Sequence, residues 1–151
     1  MFPALIRAMR PKQWAKNVFV FAGLFFDGKA LSGAWIWQSV IAFVLFCLVS
    51  SAVYLVNDLL DIEKDRLHPT KRLRPLACGA LSPTVAKGAV VVLLGISAPA
   101  ALALSPAFGI TLLAYAAMMF AYSVRLKDVV IIDVMIVAAG FVLRVHGGAV
   151  V

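Results

Sequence analysis

The fold is decided by residues 35–69, which read WIWQSVIAFVLFCLVSSAVYLVNDLLDIEKDRLHP. The part Trp35–Val56 carries no charged side chain. It is long enough to cross a bilayer, for which a helix needs roughly 20 apolar residues. From Asn57 onward, acidic and basic residues follow directly. This junction predicts a transmembrane helix whose charged end stands at a membrane surface.

The composition excludes an ordinary soluble domain. Apolar residues make up 64% of the 151 residues and charged residues 14%, with a mean hydropathy of +1.01. A soluble domain has about 45–50% apolar and about 25% charged residues, so lipid must solvate most of this surface. The net charge of +7 does not indicate a nucleic-acid partner, because the basic residues lie in short segments between apolar runs.

Apolar segments recur along the chain and predict an all-α, polytopic transmembrane bundle. We expect five spans, at about Asn17–Phe26, Trp35–Val56, Pro83–Leu104, Pro106–Ser123 and Val129–Val151. The first is short, so it is expected to include residues from the Trp14 side. The third and fourth each start with a serine N-cap followed by proline, at Ser82-Pro83 and Ser105-Pro106.

The basic residues predict the orientation in the membrane. They precede the first segment and lie between the second and third and between the fourth and fifth. This alternation places the N-terminus and the motif loops in the cytosol, in a multi-pass protein of the plasma membrane. The last residues, Gly147–Val151, include no polar tail. We therefore expect the sequence to be the front part of a longer protein.

Acidic residues after the second segment predict a metal site. Asn57, Asp61 and Asp65 are four residues apart, which places them on one face if the helix continues. Asp58 lies about 100° away but beside Asp61, and we assign it to substrate binding. Oxygen ligands one turn apart suit Mg²⁺, which proteins hold with one or two carboxylates while substrate phosphates complete the shell. We predict Asn57, Asp61 and Asp65 as metal ligands and catalytic residues.

A basic loop follows this acidic stretch. His68-Pro69 is predicted to end the helix. Three basic side chains then suit phosphate oxygens: Lys71, Arg72 and Arg74. Acidic side chains that can bind a metal lie next to basic side chains that can bind phosphate oxygens. This is the arrangement expected for a metal–diphosphate leaving group. The alternative is an ordinary loop in which the acids pair with Lys64 and Arg66.

The basic opening of the chain is another candidate. Lys12 and Lys16 flank Trp14 just before the first apolar segment. One interpretation is an interfacial anchor, with the indole at the headgroup level. The other is that one of these lysines reaches a substrate phosphate, and the two interpretations are compatible.

Ionisable residues inside the last apolar segment are the third candidate. Asp133 and Arg144 lie about 16 Å apart along a helix, so they are not expected to pair with each other. Such residues indicate a functional site by default. Asp133 is predicted to bind a hydroxyl-rich substrate or the metal, and Arg144 to serve structure. The alternative is a structural intramembrane ion pair.

Three motifs carry a resemblance to a known family. The run Asn57-Asp58-x-x-Asp61-x-x-x-Asp65-Arg66-x-His68-Pro69-x-Lys71-x-x-Arg74-Pro75-x-Ala77-x-Gly79 resembles the first Asp-rich motif of the UbiA-type membrane prenyltransferase superfamily. The other two are Arg10-Pro11-Lys12-Gln13-Trp14-Ala15-Lys16-Asn17 and Tyr122-Ser123-x-x-Leu126-Lys127. Together they resemble the decaprenyl-phosphate phosphoribosyltransferase branch, over essentially the whole chain.

The resemblance implies a fold of about nine transmembrane helices, of which residues 1–151 form the N-terminal part of one domain, with the back half absent. It implies Mg²⁺-dependent transfer of a phosphoribosyl group from 5-phosphoribosyl 1-diphosphate to a polyprenyl (decaprenyl) phosphate, for arabinan synthesis in the cell envelope. Tyr122 and Lys127 would contact the donor. The protein partner that we expect is a second copy of the same chain, in a homo-oligomer.

Two other functions remain open on the sequence. One is a prenyltransferase that moves an isoprenoid from its diphosphate onto an aromatic or haem-type acceptor. The Arg-Pro-Lys-Gln-Trp-Ala-Lys-Asn opening favours the phosphoribosyl branch over it. The other is a non-catalytic transporter or channel, which would require charges along several spans, whereas these charges cluster at the cytosolic ends.

Overall fold

A computed structural model of the chain describes residues 1–26, 33–126 and 130–151, and within these ranges it contains helices and no strand. Lys127 lies outside the described residues. The elements, in chain order, are α1 (Phe2–Ala8), a 3₁₀ stretch (Pro11–Phe21), α2 (Ala22–Phe26), α3 (Gly33–Leu60), α4 (Ile62–Leu67), a 3₁₀ turn (Lys71–Leu73), α5 (Pro83–Leu104), α6 (Pro106–Val124) and α7 (Val130–Ala149).

In the described part of the chain, four helices are long and apolar enough to cross a membrane: α3, α5, α6 and α7. These confirm the all-helical bundle and the second to fifth predicted segments. The 28 residues of α3 extend about 42 Å at 1.5 Å per residue, whereas the hydrocarbon core is about 30 Å thick. Helix α3 is therefore longer than an untilted crossing of the apolar layer requires.

The first predicted segment differs from a regular α-helical span. It consists of the 3₁₀ stretch Pro11–Phe21 followed by the five-residue α2. A 3₁₀ helix rises about 2.0 Å per residue, so Pro11–Phe26 covers about 30 Å in spite of its short length. The stretch begins at Pro11, on the Trp14 side, but it is not among the four helices of spanning length in the described part of the chain, so the first span stays a prediction.

Serine caps begin α5 and α6 as the sequence predicts. The Ser82 hydroxyl accepts a hydrogen bond from the Thr84 N–H at 3.3 Å, and that of Ser105 accepts from the Phe108 N–H at 3.4 Å. Each serine satisfies a backbone donor that the first helical turn leaves without a partner. The proline that follows each cap has no N–H to satisfy, which suits the first helical position.

Helix α3 is the centre of the bundle. Of its most apolar stretch, 61% is buried within the protein, compared with 17% for that of α5. It packs against α5, α6 and the 3₁₀ stretch, while α7 packs against α6, the 3₁₀ stretch and α2. The buried core cluster between them is Val20, Ala42, Leu45, Phe46, Val49, Ala101, Phe108, Leu112, Tyr115 and Ala116.

Glycines let α7 approach the N-terminal segment closely. A Cβ added at Gly148 would overlap the carbonyl oxygen of Val20, and one at Gly23 would lie 2.5 Å from the Ala149 nitrogen. Small residues at such contacts allow van der Waals packing between helices in a membrane, where lipid competes for apolar surface. The 3₁₀ stretch and α2 are thereby held against α7.

Candidate functional site

A polar cavity of about 510 Å³ lies at the charged end of α3. This size falls within the range of small-molecule sites, about 300–1,000 Å³. Its walls come from Arg10 just before the 3₁₀ stretch, the ends of α3 and α6, α4 and the loop after α4. The lining residues are Arg10, Val53, Tyr54, Asn57, Asp61, Lys64, Asp65, His68, Lys71, Arg74, Met119, Tyr122 and Ser123.

The acidic face of the cavity is built across a helix break. The expected continuous helix is interrupted at Asp61 (φ −101°, ψ 7°), between the end of α3 and the start of α4. The Asp61 N–H still donates to the Asn57 carbonyl at 3.1 Å, and the Asp65 N–H to the Asp61 carbonyl at 2.8 Å. These bonds keep the spacing of one turn, so Asn57, Asp61 and Asp65 all line the cavity.

Two arginines at the cavity are tied to buried carboxylates. Arg10 Nη2 donates to Asp58 Oδ1 at 2.5 Å. Arg74 Nη1 donates to the same Oδ1 at 3.2 Å and to Asp65 Oδ2 at 2.7 Å. Asp58 is 2% exposed and Asp65 3%. The four side chains form a charge network in which the carboxylates lie deep and both guanidinium groups reach the cavity surface.

The lining carries an excess of positive charge. Four lysine and arginine side chains and two aspartates border the cavity, which leaves two positive charges in excess. Arginine grips phosphate oxygens through its planar fork, and lysine acts as a point charge. In a cleft with low-dielectric walls such an excess attracts anions. The cavity is therefore suited to a polyanionic ligand.

The predicted site residues fall into two groups. Those that line the cavity are Asn57, Asp61, Asp65, Lys71, Arg74 and Tyr122. Those that the structure places elsewhere are Lys12, Lys16, Asp58, Arg72 and Asp133. The first two and Arg72 are exposed and do not line the cavity. Asp133 contacts the cavity residue Tyr122, whose hydroxyl donates a hydrogen bond to Asp133 Oδ1 at 2.6 Å.

Sequence reasoning missed Arg10 as a cavity residue. Arg10 has a left-handed backbone conformation (φ 54°, ψ 62°). This conformation is uncommon for residues other than glycine, asparagine and aspartate. Its guanidinium lies 4.9 Å from the centre of the Tyr54 ring. The basic opening run signalled this part of the chain. Which basic residue turned inward depended on the backbone conformation, and that cannot be seen in the composition.

His68 organises the loop that carries Lys71. The sequence predicted it as the helix breaker, and α4 does end at Leu67. Its ring Nδ1 accepts hydrogen bonds from the N–H groups of Thr70 at 3.3 Å and Lys71 at 3.4 Å. The ring also lines the cavity. It therefore fixes the start of the 3₁₀ turn from which Lys71 faces the cavity.

Arg144 and Asp133 do not pair with each other, as their spacing predicted. Arg144 is 6% exposed. Its Nε donates to Asn17 Oδ1 at 2.7 Å, Nη1 to the Gly140 carbonyl at 2.8 Å, and Nη2 to the Tyr115 hydroxyl at 2.8 Å. The alternative of an intramembrane ion pair between the two residues is wrong, because α7 directs Arg144 towards neutral partners in the bundle interior.

Asn17 connects this arginine to the central helix. It is fully buried, and its amide Nδ2 donates to Ser50 Oγ and to Cys47 Sγ, both at 3.2 Å. A neighbouring bond joins Trp14 Nε1 to Ser51 Oγ at 3.0 Å. The 3₁₀ stretch is thus tied to α3 and to α7 through side chains. Nothing in the sequence pattern predicted this buried role for Asn17, which is the last residue of the basic motif.

The donors at the acidic face fit a hard divalent cation that shares its shell with a substrate. Among the described residues, no group of three or more His, Cys, Asp or Glu side chains is arranged to hold a metal. Asp65 Oδ2 is engaged by Arg74. Asn57 and Asp61 also line the cavity, and both side chains carry oxygen atoms that can bind a cation. Two such ligands suit Mg²⁺ when phosphate oxygens supply the rest.

Comparison with known proteins identifies the class. The UbiA prenyltransferase family model matches residues 17–151, and the chain belongs to this family. It is 41% identical to a decaprenyl-phosphate phosphoribosyltransferase of Corynebacterium glutamicum, covering 97% of this chain and 45% of the relative. It is 39% identical to the enzyme of that name in Mycobacterium tuberculosis, covering 97% and 50%.

Among solved structures, the chain resembles a UbiA homolog from Archaeoglobus fulgidus bound to DMAPP and Mg²⁺. The TM-score is 0.83 at 24% identity, covering 97% of this chain and 53% of that one. This likeness shows a shared fold. The chain spans about half the length of the curated relatives it matches.

Proposed function

We propose that the cavity binds the donor in Mg²⁺-dependent transfer of a phosphoribosyl group from 5-phosphoribosyl 1-diphosphate to a polyprenyl phosphate such as decaprenyl phosphate. The observation that carries the proposal is the combination of Asn57 and Asp61 with the basic side chains Arg10, Lys71 and Arg74 around one polar cavity. A donor with a diphosphate and a second phosphate matches this excess of positive charge. The name of the relatives with about 40% identity supports the choice of donor.

In this proposal each side chain has a separate task. Asn57 and Asp61 would hold the cation, with Asp65 in support, and Arg10 and Arg74 would grip diphosphate oxygens. Lys64 and Lys71 would add point charges. When bound, Mg²⁺ would offset the charge that develops on departing diphosphate.

The reaction exchanges one carbon–oxygen bond for another. A phosphate oxygen of the acceptor forms a bond to the anomeric carbon of the ribose. The bond from that carbon to the diphosphate oxygen breaks, and diphosphate leaves with the electron pair. A phosphate monoester is already largely anionic near neutral pH. The step therefore needs no protein base, and the task of the cavity is positioning and charge stabilisation.

We further infer that the cavity faces the cytosol of a plasma membrane and that the product serves cell-envelope arabinan synthesis. The basic loops lie at the end of the bundle that holds the cavity, which is the arrangement typical of cytosolic loops. A water-soluble, highly charged donor would then reach the site directly. The acceptor would enter from the lipid that surrounds the helices.

The second candidate is transfer of an isoprenoid from its diphosphate to an aromatic or haem-type acceptor. The UbiA homolog of similar fold was solved with an isoprenoid diphosphate, DMAPP. Both reactions need the same cation and diphosphate grip, and only the phosphoribosyl donor brings a further phosphate for the excess positive charge of the cavity. They differ in which substrate carries the diphosphate.

The experiment supplies both pairs of substrates to membranes that contain the protein. Radiolabelled phosphoribosyl diphosphate with polyprenyl phosphate and Mg²⁺ should yield a labelled lipid, and radiolabelled isoprenoid diphosphate with an aromatic acceptor should not. Asp61→Asn should abolish the product, whereas Glu63→Gln, on the exposed side of α4, should not. Product from the isoprenoid pair alone would contradict the proposed donor.

A further inference from the structure

We propose that Asp58 is a positioning residue: its carboxylate holds Arg10 and Arg74 in place for the donor without touching the donor or the cation. This inference deepens the proposed function and rests on it. Asp58 is 2% exposed and does not line the cavity, although Asn57 beside it does. One oxygen, Oδ1, accepts from both arginines, at 2.5 Å and 3.2 Å.

The two arginines come from separate parts of the chain. Arg10 precedes the 3₁₀ stretch, and Arg74 follows the 3₁₀ turn Lys71–Leu73 in the loop after α4. Two guanidinium groups around one small cavity repel each other, and a shared buried carboxylate offsets that repulsion. Arginine has five N–H donors. Each guanidinium therefore keeps donors that are not directed at Asp58 and that suit phosphate oxygens.

The backbone of Arg10 gives independent support. A left-handed conformation at a residue with a side chain persists where surrounding contacts over-determine it. Here the contacts are the bond to Asp58 and the stacking over the Tyr54 ring at 4.9 Å. Removing the Asp58 charge releases Arg10 from the position that faces the cavity. The same change leaves Arg74 attached to Asp65.

The test measures binding of inorganic diphosphate to the membrane-embedded protein, with Mg²⁺ titrated. Asp58→Asn keeps the size of the side chain and removes its charge. We expect diphosphate to bind about tenfold more weakly, because charge-assisted bonds are lost, while the Mg²⁺ concentration for half-saturation stays unchanged. Asp61→Asn is expected to raise that concentration severalfold. Glu63→Gln, an exposed carboxylate of α4 outside the cavity, should change neither quantity.

A double-mutant cycle then tests the connection to Arg10. If Asp58 acts through Arg10, the loss of affinity in Asp58→Asn/Arg10→Gln should fall short of the product of the single losses by about threefold or more. A purely structural role would lower stability and leave the two losses multiplicative. If Asp58→Asn does not fold, Asp58→Glu keeps the charge and moves it, and should weaken diphosphate binding severalfold at unchanged Mg²⁺ dependence.

Several results would overturn the inference. A shift in Mg²⁺ half-saturation for Asp58→Asn equal to that for Asp61→Asn would make Asp58 a metal ligand. Multiplicative losses in the cycle would separate Asp58 from Arg10. Wild-type protein that binds diphosphate but not phosphoribosyl diphosphate would contradict the proposed donor alone. Wild-type protein that binds neither would overturn both proposals.

Discussion

Replacing Arg144 by methionine should lower the free energy of unfolding by about 2–4 kcal/mol. Methionine keeps much of the side-chain length and removes the three hydrogen bonds to Asn17, Gly140 and Tyr115. Interhelical hydrogen bonds in membranes average about 0.6 kcal/mol in double-mutant cycles, whereas bonds to charged groups reach about 1.5–3 kcal/mol. Three bonds therefore contribute at least about 2 kcal/mol.

Two further effects act in opposite directions. Arg144 also lies over the rings of Tyr115 and Phe141, at 4.8 and 5.6 Å, and such contacts contribute about 0.5–1 kcal/mol or more. Against this, an apolar replacement of a buried charge avoids a desolvation penalty. We expect the lost hydrogen bonds to outweigh the avoided desolvation penalty, because methionine leaves the Asn17 carbonyl and the Tyr115 hydroxyl buried without this partner. A lone buried polar group costs about 1–3 kcal/mol.

The assay is unfolding of the purified protein in mixed micelles by a denaturing detergent, followed by tryptophan fluorescence. The control is Arg125→Met, which changes an exposed arginine just after α6 and should stay within about 0.5 kcal/mol of wild type. A change below about 0.5 kcal/mol for Arg144→Met would refute the reasoning, since the desolvation gain would then equal the lost bonds.

Two other predictions concern packing and orientation. Gly148→Ala should lower the free energy of unfolding by about 1–3 kcal/mol, because the new Cβ meets the Val20 carbonyl. Gly88→Ala has open space around the new Cβ and should raise the free energy of unfolding by up to about 1 kcal/mol. Equal effects of the two substitutions in the same unfolding assay would contradict the close contact. A membrane-impermeant maleimide should label the exposed Cys78 in inverted vesicles and not in right-side-out ones, and Cys47, buried in α3, should stay unlabelled in both. Labelling of Cys78 from the outside would reverse the proposed orientation.

The start and end of helices were predictable where local chemistry decides them. Ser82-Pro83 and Ser105-Pro106 begin α5 and α6 because a cap and a proline act within one turn. The break at Asp61 was not predictable, since the residues around it have ordinary helical character. It is compatible with a cavity because the hydrogen bonds on either side preserve the spacing.

The cavity was predictable in part for a related reason. A spacing of four residues brought Asn57, Asp61 and Asp65 to one side even across the break. The partners of Asp58 could not be predicted, because Arg10 is distant in sequence and reaches it through an unusual backbone conformation. Long-range pairing was thus the part that required the structure.

The bond between Asn17 and Arg144 also constrains the order of assembly during synthesis. The two residues are 127 positions apart, so at about 5–20 residues per second the arginine emerges roughly 6–25 s after the asparagine. Ser50, 33 positions after Asn17, is available much earlier. The N-terminal segment therefore first associates with α3 alone, and its contacts with the bundle become complete when α7 is synthesised. Until then, the early segment holds a buried amide with only part of its final hydrogen bonds.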